Sequence, residues 1–90
     1  MPYIKKELRE QYDEYIDELV DILACETDEA IKGHHNYIMY RLAKKLAERL
    51  GVRYHTLQDI IGTFDCCKAE FSRRIVAPYE DKAIDKNGDV

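Results

Sequence analysis

Apolar side chains return every three or four residues along most of this chain, a spacing that admits little besides helices. Tyr12, Tyr15, Ile16, Leu19, Val20, Ile22 and Leu23 form one stripe, with Asp13, Glu14, Asp17, Glu18 and Asp21 outside it. Ile38, Leu42, Leu46 and Leu50 recur at every fourth position, Ala43 and Ala47 allow close approach, and Gly51 stops the run. Leu57, Ile60, Ile61, Phe64, Phe71 and Ile75 make a third stripe. No internal repeat or linker interrupts them. A chain of 90 residues has room for one domain, here expected over positions 1–90. The fold expected is all-α: a small bundle of three main helices plus short terminal helical turns.

Local signals set the expected boundaries. Thr27-Asp28 can cap a brief helical turn ended by Gly33, and Asn36 then caps the second helix. Thr56, with Asp59 three residues on, opens the third. Gly62 costs about 1 kcal/mol relative to Ala inside a helix, so a close neighbour is expected there. Pro78 removes a donor and crowds the preceding turn, so the helix should end or kink. Glu80–Lys86 adds a turn or two before Asn87-Gly88.

Charge is segregated. Residues 1–32 carry four basic and ten acidic residues, residues 33–74 eight and four, and residues 75–90 two and four. The expected use is rim pairing between the acidic first helix and the basic middle helices. The basic stretch is too dilute, and its flanks too acidic, for a typical nucleic-acid domain. No run approaches the ~18 apolar residues of a membrane helix, so no membrane partner is expected. Met1-Pro2-Tyr3-Ile4 has no targeting character, and Cys25, Cys66 and Cys67 make an odd count. Both point to a cytoplasmic protein with free thiols, the cysteines serving as core filler.

Chemistry-bearing patterns are sparse. His34-His35 and His55 lack ligand spacing and are expected to be solvated loop residues, and no metal or cofactor is expected. Glu14, Asp17, Glu18 and Asp21 could supply half of a magnesium site of the kind all-α nucleotide pyrophosphatases use. The other half would need Asp65 and Glu70, which fall on different helix faces. A catalytic role is therefore not favoured, and no catalytic residue is assigned. Leu46–Ile60 imitates a helix-turn-helix, with Ala47, Gly51 and Leu57 at the small, turn and anchor positions. Its reading face would be His55, Thr56, Gln58, Asp59 and Thr63, without an Arg or Lys for guanine. DNA binding is thus the alternative rather than the leading reading.

The densest segment is Glu70–Asp81. Arg73 or Arg74 could pair with Glu80 or Asp81 across a kink at Pro78. The same residues, with Tyr79, make a candidate protein-interaction surface: Arg73, Arg74, Tyr79, Glu80 and Asp81. The seven tyrosines suit a small core's rim or a dimer interface.

The run Glu70-Phe71-x-Arg73-Arg74-x-Val76-Ala77-Pro78-Tyr79-Glu80-Asp81, followed by Asn87-Gly88-Asp89-Val90, resembles a family of small proteins of unknown function found in bacteria, archaea and tailed phages. Met1-Pro2-Tyr3-Ile4 and Asn36-Tyr37-Ile38-Met39-Tyr40-Arg41-Leu42 are similar too, so the resemblance spans most of the chain. Thr27–Lys32 and His34-His35 depart from the pattern. The resemblance implies a compact helical protein with no assigned activity. Together these readings favour a non-catalytic accessory module of unknown protein partner, acting as a homodimer.

Overall fold

The computed structural model describes residues 3–90, and the described residues hold helices without a strand. Helix α1 spans Lys6–Leu23 and α2 Asp28–Leu50. Helices α3, Tyr54–Phe71, and α4, Ala77–Asn87, are joined by a π-helical turn over Ser72–Val76. The all-α expectation holds, with several boundaries displaced. No described helix is long and apolar enough to cross a membrane.

Helix α2 begins eight residues before the expected Asn36 cap because Thr27 is the stronger starting signal. Its Oγ1 accepts the Ala30 N–H at 3.3 Å, and Asp28 and Glu29 place negative charge in the first turn. Once started, the helix runs through Gly33 and Asn36 without a break. A mid-helix glycine costs about 1 kcal/mol, too little to stop 23 residues of mostly good helix formers. Gly51 does end α2. Its φ of 102° lies where side chains are strained, and its N–H donates to the Ala47 carbonyl at 2.9 Å. Helix α3 then opens at Tyr54 behind Arg53, which sits in extended backbone. Thr56, expected as the cap, lies inside the first turn and is buried.

The helix does not end at Pro78. The Ala77 N–H donates to the Ser72 carbonyl, five residues back rather than four. That slip absorbs one extra residue immediately before the position where an imide nitrogen cannot donate. Pro78 then sits in the first turn of α4, where a missing N–H is tolerated. The segments of 18, 5 and 11 residues make a continuous rod. At a rise of about 1.5 Å per residue it should be about 51 Å long, matching the molecule's longest dimension of 50 Å.

Each helix packs on its neighbour in sequence. Helices α1 and α2 meet around the Ala24–Thr27 turn, and α2 and α3 around Gly51. Among the described residues, no Cα of α1 comes within 8 Å of the long rod. Among the described residues only Ala47 and Thr56, on either side of the α2–α3 corner, are buried. Ile38, Ala43 and Ile60 are half-buried, while Tyr12, Tyr15, Ile16, Leu42, Leu46, Phe64 and Phe71 are exposed. In a bundle of three main helices the stripes would cover one another, and within one chain they largely do not. The radius of gyration is 16.5 Å, where about 12 Å describes a compact chain of this length.

Two glycine substitutions check this geometry. Gly51→Ala should lower stability by about 1–3 kcal/mol, because a Cβ at φ 102° is strained. Gly62 has open space around it rather than the close neighbour expected of it. Gly62→Ala should therefore raise stability by about 0.5–1 kcal/mol. Urea midpoints measure both.

Candidate interaction surfaces

Glu70 lies at the end of α3 and Arg73 one turn later, an i,i+3 spacing that brings the side chains together. The Arg73 fork grips the carboxylate, Nε to Oε1 at 3.1 Å and Nη2 to Oε2 at 2.9 Å. From the far end of the sequence, the Tyr3 hydroxyl donates to Glu70 Oε2 at 2.5 Å. Arg74 Nη1 donates to the same hydroxyl at 2.7 Å, and its guanidinium lies 5.6 Å from the Tyr3 ring centre. The cluster holds residue 3 against the rod where α3 passes into the π turn.

This corrects the expected partners of the two arginines. An unbroken helix leaves Glu80 and Asp81 seven residues, about two turns, beyond Arg73 and Arg74. Glu70 is only one turn back, and it takes the ion pair. Of the five proposed surface residues, Arg73 and Arg74 are gathered with Tyr3 and Glu70. Tyr79, Glu80 and Asp81 stand exposed on α4. Tyr3 carried no signal of its role, because its partners are 67 and 71 positions away.

The remaining candidates fare differently. Cys25, Cys66 and Cys67 are free, as expected, but exposed rather than core filler: the apolar stripes near Cys25 and Cys67 are not covered, and Cys66 points away from its stripe. His34 and His35 lie within α2, and His55 in the first turn of α3, so none is a loop residue. His34 Nε2 is 3.7 Å from Glu26 Oε2. Among the described residues no three His, Cys, Asp or Glu side chains converge as a metal site would require. In the corner that imitates a helix-turn-helix, Thr56 is buried and so removed from any reading face. The Thr63 hydroxyl donates to the Asp59 carbonyl at 2.9 Å.

A separate feature lies between α2 and α3. Met39, Leu42, Ala43 and Leu46 face Ile60, Phe64 and Cys67 across an open groove of about 280 Å³. Its walls are almost wholly apolar, and no residue of α1 lines it.

The Tyr3–Glu70–Arg73–Arg74 cluster makes a pH-dependent prediction. Hydrogen bonds from Arg73 and then Tyr3, with the charges of Arg73 and Arg74, hold the Glu70 carboxyl at about 2, down from 4.5. A carboxyl lowered in the folded state contributes its full stabilisation above the unfolded value and loses it as pH falls toward the folded one. In thermal melts, the wild type's lead over Glu70→Gln should stay constant from about pH 7 to pH 5, shrink as pH falls through 4.5, and be lost below about pH 2.

No curated protein and no solved structure matches this chain. A family model does, and it matches residues 1–90. The chain therefore belongs, over its whole length, to the family described as Domain of unknown function (DUF6899).

Proposed function

We propose that this chain is a non-catalytic protein-interaction module that works as a homodimer in the cytoplasm. The role proposed for it is that of an accessory of the kind carried by bacterial, archaeal and phage genomes. One observation carries the reading: three apolar stripes at helical spacing stay largely exposed in a single chain, and among the described residues only Ala47 and Thr56 are buried. Monomeric soluble proteins rarely leave contiguous apolar faces uncovered, and a protein surface is the usual cover. Arg73, Arg74, Tyr79, Glu80 and Asp81, near the start of α4, offer a further partner the residue types common in binding hot spots.

Multi-angle light scattering tests the reading. At about 100 μM the expected mass is about 21 kDa, twice the 10.6 kDa of one chain. A strict monomer would overturn it. Binding to a duplex at about 50 mM salt, falling steeply as salt rises, would favour the helix-turn-helix alternative instead.

A further inference from the structure

The groove between α2 and α3 and the stripe on α1 are both apolar, both exposed and not in contact with each other. We propose that they meet between two chains: the α1 stripe of each copy lies in the α2–α3 groove of the other, in a reciprocal two-fold dimer. The proposal rests on the homodimer reading and specifies its interface.

Surface area supports a second copy as the occupant. The chain exposes 8379 Å², whereas a folded monomer of its mass exposes about 5,500 Å². The excess is about 2,900 Å² per chain. Obligate dimers bury roughly 1,000–2,500 Å² on each partner, so a tight interface of that class can be built from the excess alone.

Charge supports α1 as the segment that fills the groove. At 100° per residue, Arg49 falls on the α2 shoulder of the groove, and Lys68 on the α3 shoulder. Asp13 and Glu18 flank the α1 stripe on its two sides, with Glu14, Asp17 and Asp21 behind. Among the described residues, none of these groups has an ion-pair partner within the chain. A second α1 in the groove brings acidic flanks onto basic shoulders, whereas groove-on-groove packing would oppose like charges.

The chain's own α1 does not take that place. Tyr3 is held to Glu70 and Arg74 just before the helix starts. At the other end, the Cys25 N–H donates to the Ile22 carbonyl at 3.2 Å and the Glu26 N–H to the Leu23 carbonyl at 3.0 Å. The Thr27 cap follows at once. One end is tied to the rod, the other passes through a hydrogen-bonded turn into α2, and the stripe between them stays open.

Cys67, in the groove wall, makes the arrangement testable by cross-linking. Ile16→Cys is made with Cys25→Ser and Cys66→Ser, so that two thiols remain per chain, and Leu19→Cys in the same background guards against a misfolded variant. After mild oxidation, the expected product is a covalent dimer in which peptide mapping finds Cys67 joined to the thiol introduced in α1. A dimer joined only through Cys67 to Cys67, or only through two introduced thiols, would overturn the proposed register while leaving the homodimer intact. An intrachain link, seen as an oxidised monomer on a non-reducing gel, would show α1 covering its own groove and would also overturn it. A monomer by light scattering before oxidation would remove the homodimer reading and the interface together.

Discussion

Helix α1 is held at its ends and left open along its length. Before its first residue, the Tyr3 hydroxyl sits between a carboxylate and a guanidinium on the long rod. After its last, the backbone turns through three residues into the Thr27 cap. Hydrogen bonds at the two ends thus set where the helix lies, not burial of its face. That inverts the usual order in small helical proteins, where packing of an amphipathic face supplies most helical stability. Here the face is left over, and the remainder of the molecule's character follows: a low buried fraction, a large radius for its length, and an apolar groove with nothing of its own to fill it.

Electrostatics carries the same mark. The acidic first third and the basic middle would have neutralised one another had the helices closed into a tight bundle. Instead, the ion pairs among the described residues are local: Arg73 with Glu70 one turn away, and His34 near Glu26 across the helix start. Isolated surface pairs of this kind contribute little to stability. The Glu70 pair differs because a phenol and a second guanidinium add to the same carboxylate, and that combination draws its titration well below the ordinary range.

Helix content was legible from the sequence because periodicity is a local property, and so was the stop at Gly51, which needs a backbone angle other residues resist. Boundaries failed where two local signals competed. Asn36 and Thr27 can both cap, and only the acidic first turn behind Thr27 separates them. Pro78 reads as a break because a proline deletes one hydrogen bond, yet a slip of one residue in the ladder accommodates it without ending the helix. The Glu70–Arg73 half of the cluster follows from spacing alone, whereas the Tyr3 half depends on where α1 begins in space, which no window of sequence contains. The cysteines were misplaced for a related reason: an apolar stripe marks what needs covering, not what is covered within the same chain.

The wide turn at Ser72–Val76 also decides which residues share a face along the rod. In an uninterrupted α-helix, the line through Phe64, Cys67 and Phe71 would pass on to Ile75, Pro78 and Lys82. One inserted residue advances that line, so Val76, Tyr79 and Ala83 follow instead. Ala83 is half-buried, in keeping with that alignment. The proline and a lysine are rotated off the apolar seam and an aromatic ring is rotated onto it. A five-residue irregularity thereby acts as a gear, letting one rod carry a greasy edge past a residue that would otherwise have cut it in two.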